Sequence, residues 1–276
     1  MGRIMVGVSG STAGHPAIGW AIRHAHHRGL EVELVHIVDI TWNTVPPEWA
    51  ESALLAAEEA LRGEAERARL IDPSVAVHPT VLIGSPTHQL AEHAREAELL
   101  VVGTHPRRSV GDLVLSSRAA RIAAAASCPV AVIPDDADQG TGVVVGVDGS
   151  EASQAAVAFA AAEADRAGEL LTAIYAWSAP EPWGVDESEW PASPVDEDRR
   201  LLAEAIAGLA DQYPDLQVRS EVIGARPLRA LYAAGVGARM LVVGSHGKHG
   251  FSRALLGSVS EDVVLSMPCP VVVVRA

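Results

Sequence analysis

Two cysteines in 276 residues leave no disulfide framework to hold a fold together. Cys128 and Cys269 each stand just before a proline and an apolar strand, the setting of a small buried side chain; a bridge between them is the alternative. No run approaches the roughly 18 uninterrupted apolar residues of a membrane span, and no charged-then-apolar leader opens the chain. A soluble, cytoplasmic protein with neither signal peptide nor membrane anchor is therefore expected. Positive charge is scarce too: 21 Lys and Arg against 35 Asp and Glu give a formal net charge of −14. Counterion release from a phosphate backbone needs clustered Lys and Arg, so nucleic acid is not an expected partner. Catalytic groupings are sparse as well, with no Ser-His-Asp order and no carboxylate pair at a plausible site. Binding is favoured over catalysis.

What remains is the composition of a globular chain, 49% hydrophobic and 20% charged, and the length suits two domains of about 100–200 residues each. A repeat fixes their size. GRIMVGVSGS, from Gly2, aligns with GVVVGVDGS, ending at Ser150, and VVGTHPRRSVGDLVLSSRAARIAAAASCPVAVI aligns with VVGSHGKHGFSRALLGSVSEDVVLSMPCPVVVV. Ser9 answers Asp148 and Gly29 answers Gly168 at an offset of 139, and Cys128 answers Cys269 at 141. Repeats report architecture before any motif does.

Within each half, short β-branched runs alternate with long alanine-rich stretches. Ile4–Val8, Val32–Val38, Val75–Leu82, Leu99–Val102 and Val130–Ile133 read as strands, and Pro16–Arg28, Glu48–Leu70, Thr87–Glu96 and Ser117–Ala126 as helices. The second half repeats the order. Its strands are Val143–Val147, Leu170–Ala176, Gln217–Ile223, Met240–Val243 and Val271–Val274, and its helices Ala152–Ala167, Asp196–Gln212, Leu228–Val236 and Ser258–Ser266. Such alternation implies parallel pairing with helices on both faces. The fold class is α/β: two tandem Rossmann-like, doubly wound domains, each with a five-stranded parallel sheet. They are expected at 1–136 and 142–276, joined by an acidic, polar linker centred on Pro134–Gly142. Each half has a loop after its second strand, Asp39–Pro47 and the longer Ser178–Pro194. Trp183 and Trp190 in the latter read as a cap folded onto its own domain, or as a partner surface.

In an open parallel sheet, ligands bind beyond the carboxyl ends of the strands, where strand order reverses. Two loops of the second half lie at that edge. Gly146-Val147-Asp148-Gly149-Ser150 follows the first strand and leads into a helix. Gly244-Ser245-His246-Gly247 follows the fourth, and nine residues later Gly257-Ser258-Val259-Ser260 opens another helix. Glycines let the backbone approach an anion closely. A helix start at Gly257-Ser258 offers unpaired N–H groups, the positive end of the helix dipole and a hydroxyl, together a seat for phosphate. Ser260 adds a second hydroxyl, and Lys248, His249 and Arg253 are placed to screen triphosphate charge. Asp148 suits a hydrogen bond from a ribose hydroxyl, then one from a base amine, then a share in holding magnesium. Each element has a plain reading alone, an N-cap at Gly257-Ser258 and a turn acid at Asp148, so their joint occurrence carries the argument.

The pattern Gly-x2-Gly-x9-Gly-Ser at Gly244, Gly247, Gly257 and Ser258, with VGVDGS at Val145–Ser150 and the closing CPVVVV, resembles the universal stress proteins. The chain looks like a tandem member, the likeness covering nearly its whole length. The resemblance implies an adenine-nucleotide-binding fold, one branch of which binds ATP. By motif match, Gly146, Val147 and Asp148 lie along base and ribose, Ala176 near the adenine, and Val243 and Gly244 beside the ribose. Gly247, Gly257, Ser258, Val259 and Ser260 cradle the phosphates. The resemblance also implies that the last strand of each domain pairs with its counterpart, making the two halves an intramolecular pseudo-dimer; an apolar edge such as Val271–Val274 must in any case be covered or paired. A further homodimer is expected.

The first half departs from the pattern. Asp148 is answered by Ser9, Gly247 by Pro106, Gly257 by Ser116 and Ser260 by Ala119, while Gly103, Ser117 and Gly10 survive. Pro106 is the gravest change, because proline removes an N–H and fixes φ at about −65°. Arg107 and Arg108 after it read as a solvated basic loop or an altered anion site. Weak or absent ATP binding is expected there. Ser9-Gly10-Ser11-Thr12 lacks the glycine pair and following acid of a pyrophosphate loop, and His24, His26 and His27 read as a surface cluster lacking a third metal ligand. The expected function is an ATP-binding regulatory protein, nucleotide held mainly in the second domain and accompanied by magnesium, with no catalytic or metal-ligating residue assigned. The alternatives are a slow ATP hydrolase or phosphate-transfer enzyme on the same scaffold, a cyclic-AMP-binding protein, and a ligand-free interaction module.

Overall fold

Valine and isoleucine runs supply the sheets, and alanine-rich helices cover them. The computed structural model describes residues 2–9, 15–39, 47–104, 110–135, 137, 140–177, 195–247 and 255–276. The chain divides between Ala137 and Asp138 into two units, a short stretch ending at Leu256 excepted. In the first, β1 (Arg3–Val8), α1 (His15–Arg28), β2 (Glu31–Val38), α2 (Pro47–Ile71), β3 (Val77–Ile83), α3 (Pro86–His93), β4 (Leu99–Thr104), α4 (Val110–Ala125) and β5 (Val130–Pro134) follow in order. The second runs β6 (Val143–Val147), α5 (Glu151–Ala167), β7 (Leu171–Trp177), α6 (Val195–Ile206), α7 (Leu209–Gln212), β8 (Val218–Gly224), α8 (Pro227–Gly235), β9 (Met240–Gly244), α9 (Ser258–Ser266) and β10 (Val271–Val274).

Both units have one topology. Strand order is β3-β2-β1-β4-β5 in the first and β8-β7-β6-β9-β10 in the second, all pairings parallel. The first strand of each unit therefore lies between the second and the fourth, and strand order reverses there, opening a crevice at the carboxyl edge. Ile4, Val6, Leu99 and Leu100 in one unit, and Val143, Val145, Leu171 and Leu241 in the other, are fully buried; each such side chain contributes about 1.5–3 kcal/mol relative to exposure.

The helix nearest each crevice is delimited by residues the repeat shares. α1 is followed by Gly29 at φ 63° and α5 by Gly168 at φ 64°, left-handed positions where a side chain would be strained. At its other end α5 is capped by Ser150, whose Oγ accepts the Ser153 N–H at 3.1 Å. Ala152, Ala156, Ala160, Ala161 and Ala164 make its buried face small enough to lie close on the sheet. A side-chain carbon on Gly244 would come within 2.8 Å of the Ala152 carbonyl carbon.

Three elements differ from sequence expectation. β3 starts at Val77 rather than Val75, and Pro79 is tolerated because β3 is an edge strand, paired only with β2. The helix expected over Asp196–Gln212 breaks into α6 and α7 around Gly208, at φ 82°. α4 begins at Val110, not Ser117, so Ser116 lies inside a helix. Its counterpart Gly257 immediately precedes α9. With serine replacing the helix-breaking glycine, nothing in the local sequence stops the helix there.

Candidate functional site

At the crevice of the second unit, the ends of β6, β7 and β9 and the start of α9 enclose a cavity of about 430 Å³, within the range of roughly 300–1,000 Å³ typical of ligand pockets. All eleven sequence-chosen residues line it. Gly146, Val147 and Asp148 come from β6 and its loop, Ala176 from β7, Val243, Gly244 and Gly247 from β9 and its loop, and Gly257, Ser258, Val259 and Ser260 from the start of α9. Six more were missed: Ser153, Ile174, Tyr175, Pro227, Leu231 and His246. Ser153 carries a legible signal, standing three residues after a serine N-cap. Pro227 and Leu231 reach the cavity because α8 crosses β7 and β6, a packing that periodicity does not specify.

Asp148 is held in place by its neighbours. Its N–H donates to Ser153 Oγ at 3.2 Å, and its Oδ1 accepts the Ser150 N–H at 2.9 Å, a turn acid closing on its own loop. Oδ2 faces the strand-four loop, where a side-chain carbon on Gly247 would fall 2.6 Å away. Any substituent at 247 would displace the acid or the loop. Ser150 Oγ–H reaches the His246 carbonyl oxygen at 3.2 Å, joining the two loops across the crevice.

The α9 end is arranged differently from the α5 end. Gly257 precedes the helix with no side-chain cap, so its first turn leaves N–H groups and the positive end of the dipole toward the cavity. The loop before it is anchored by the backbone: the Ser245 N–H donates to Val274 O and the Gly257 N–H to Ser245 O, each at 2.8 Å. The Ser260 hydroxyl, expected to face phosphate, donates to the carbonyl oxygens of Gly244 at 2.9 Å and Ser245 at 3.2 Å. Ser260 thus fastens α9 to β9, and Ser258 is the first-turn serine on the cavity without that tie.

The opposite end is acidic. Burial pushes the Tyr175 hydroxyl above its ordinary value, and the charges of Asp198, Asp148 and Glu197, with a hydrogen bond to Asp198, push it further. Such a field favours ligand edges that present N–H or O–H donors. Lys248, His249 and Arg253 lie outside the described residues, as do the loop 178–194 with Trp183 and Trp190, and residues 40–46.

The Universal stress protein family profile matches this chain twice, over residues 1–134 and 141–275. The chain belongs to the universal stress protein family. Among its relatives, a universal stress protein of Mycobacterium tuberculosis is 36% identical over 292 residues, covering 99% of this chain and 96% of the relative. A universal stress protein from Archaeoglobus fulgidus has the same fold, with a TM-score of 0.74 at 17% identity over 99% of this chain and 96% of that one. One from Pseudomonas aeruginosa, described as putative, gives 0.61 at 19% identity over 99% and 92%.

In the first universal-stress domain the corresponding edge is built otherwise. Ser9 stands for Asp148, Ala119 is a buried apolar residue where Ser260 ties α9 to β9, and α4 runs through the position where α9 starts. Pro106, Arg107 and Arg108 lie outside the described residues, as do Gly10, Ser11 and Thr12. A separate cavity of about 500 Å³ opens beside Val8, His36 and α2, with His15 Nε2 3.0 Å from Glu64 Oε1. The helix-one histidines take separate partners: His24 stacks on Trp20, and His26 Nδ1 meets Asp72 at 2.7 Å. Among the described residues no group of three or more His, Cys, Asp or Glu is set to hold a metal, and no helix is long and apolar enough to cross a membrane. Both cysteines are free, and burial pushes the Cys128 thiol up to about 11 and the Cys269 thiol up to about 12, the behaviour of inert packing residues.

Proposed function

We propose that the second domain, residues 142–276, binds ATP and that the first, residues 1–136, binds it weakly or not at all. The observation that carries this reading is the junction of Asp148 with Gly247 at one end of a cavity whose other wall is the uncapped start of α9. Asp148, with Oδ1 already engaged, keeps acceptor capacity on Oδ2 for ribose hydroxyls. The N–H groups of Ser258, Val259 and Ser260 and the Ser258 hydroxyl suit phosphate. The apolar surfaces of Ile174, Ala176 and Leu231 suit a base. Asp148 is the one carboxylate among the described cavity residues, so magnesium, which usually keeps several waters and binds with substrate phosphates, would be held mainly by the ligand.

Occupancy rather than turnover is the function this geometry supports, with ATP setting conformation or partner choice in a regulatory protein. The apolar last strands β5 and β10, each at an edge of its own five-stranded sheet, support pairing of the two halves. Calorimetric titration of the full chain with ATP and magnesium tests the central claim: one site per chain is expected, and two equivalent sites or none would overturn it. Analysis of the nucleotide over time separates binding from slow hydrolysis, since turnover abolished by Asp148→Ala would replace the binding reading with the enzymatic one. Parallel titration with cyclic AMP distinguishes a triphosphate site from one that reads base and ribose alone.

A further inference from the structure

We infer that Ser150 is a positioning residue for the ligand of the second domain: its hydroxyl clamps the strand-four phosphate loop against the loop that carries Asp148. The inference rests on the nucleotide-binding reading and goes beyond it to the device that sets the site's width. Three contacts meet on this residue. Its N–H donates to Asp148 Oδ1 at 2.9 Å, its Oγ accepts the Ser153 N–H at 3.1 Å, and its O–H donates to the His246 carbonyl oxygen at 3.2 Å. A serine hydroxyl has one proton and two lone pairs. Because the helix N–H uses a lone pair, the single proton is free for His246, and capping and clamping coexist.

The consequence is geometric. β6 and β9 are neighbours, but their pairing covers only Val143–Val145 and Met240–Val242, so the ladder ends before either loop begins. Beyond it, the Ser150 hydroxyl links one loop to the other, reinforced by the close approach of Gly247 to Asp148 Oδ2. Ser153 closes the circuit by accepting the Asp148 N–H at 3.2 Å. The acid that would meet the ribose and the loop that would meet the phosphates are thus held at one separation before any ligand arrives. Preorganisation of this kind favours ligands that span both loops, a nucleoside with its phosphates attached, over those that touch only one.

Ser150→Ala removes cap and clamp together, and Ser150→Thr retains a hydroxyl able to do both. Titration with ATP and with adenosine, on the full chain, separates a ligand that spans both loops from one without phosphates to reach the second. One net hydrogen bond corresponds to a loss of up to about tenfold, so ATP affinity is expected to fall about tenfold in Ser150→Ala, adenosine affinity by less than about threefold, and Ser150→Thr to restore ATP binding. Equal losses for both ligands, or no loss for ATP, would overturn the clamp. Amide hydrogen exchange at His246 and Gly247 in ligand-free protein supplies a readout independent of nucleotide: faster exchange in Ser150→Ala and recovery in Ser150→Thr are expected, and unchanged exchange would sink the clamp. Wild-type protein that binds no nucleotide, yet shows this exchange pattern, would refute the nucleotide reading and leave the clamp between the loops standing.

Discussion

A side-chain carbon on Gly7 of the first domain would lie 3.2 Å from Leu90 and 3.4 Å from Val102; one on Gly146 of the second would lie 3.2 Å from Leu231 and 3.5 Å from Val243. The floor beneath the crevice is the same in both copies to a few tenths of an ångström. The rim is not. Asp148, Tyr175 and Ser260 in the second copy are answered by Ser9, His36 and Ala119 in the first, and Val8 pairs with His36 in the register in which Val147 pairs with Tyr175. The opposite edge carries an ion pair of reverse polarity in each copy, with one position shared: Glu98 is answered by Arg239, but Arg28 by Ala167 and Glu169 by Leu30. Arg28, ending α1, meets Glu98 before β4 at 3.0 Å, whereas Glu169, after α5, meets Arg239 before β9. Close packing constrains the floor, since a change of one methylene is felt there, while rim residues diverge without threatening the fold.

The largest expected effect tests the rim directly. Asp148→Ala should weaken ATP binding about ten- to hundredfold, the range for losing hydrogen bonds to a charged group, while Ser9→Ala should leave it unchanged. Equal effects in titrations of the two variants would break the asymmetry. Gly244→Ala should lower stability by about 1–3 kcal/mol through overpacking against the α5 backbone, which cannot yield as a flexible side chain would; thermal unfolding measures it, and an unchanged midpoint would refute the close approach.

A third prediction concerns a network that belongs to the first domain alone, because Glu33 is answered by Thr172. Burial would raise the Glu33 carboxyl, but hydrogen bonds from His93 at 2.9 Å and Thr80 at 2.7 Å, with the charges of His93 and Arg3, hold it below its ordinary value. A carboxyl lowered on folding stabilises above its unfolded pKa of about 4.3, and that stability is lost as pH falls through the folded value. Glu33→Gln should therefore cost roughly 1–2 kcal/mol at neutral pH, with the gap from wild type closing below about pH 4. A gap that persists in acid denaturation curves would show that the carboxylate charge is not what matters. The smallest effect is expected from exchanging the ion pair. Arg28→Glu with Glu98→Arg should restore most of the roughly 0.2–1 kcal/mol that either change alone removes, and a double variant no more stable than the singles would show that the two polarities are not interchangeable.

Alternating strands and helices were legible because β-branched runs and alanine periodicity are local properties. So were the glycines and acid of the second crevice, since spacing along the chain survives as spacing around a strand-order reversal. Pro227 and Leu231 were not, because which turn of α8 faces the cavity depends on how the helix lies across β6 and β7. Leu90 and Leu231 hold equivalent places in the repeat and were the available clue. Motif match and its hydroxyl together assign Ser260 to phosphate, whereas in the fold that hydroxyl donates to the carbonyls of Gly244 and Ser245. The expected helix start at Ser117 failed because the alanine-rich pattern begins there, whereas α4 starts at Val110, with no glycine at 116 to stop it.

That extended α4 carries a consequence for how duplicated domains age. The first-turn amides that α9 leaves open at Ser258 have their counterparts at Ser117, seven residues into α4, where intrahelical bonds satisfy them. The longer helix in the first copy therefore leaves the backbone there better satisfied, not worse. A mutation that let the helix grow past Ser116 would meet no opposition from folding, and reversing it would require unwinding turns that had become self-sufficient. In the second copy Gly257 stands where that growth would pass, and a single glycine keeps the helix start open.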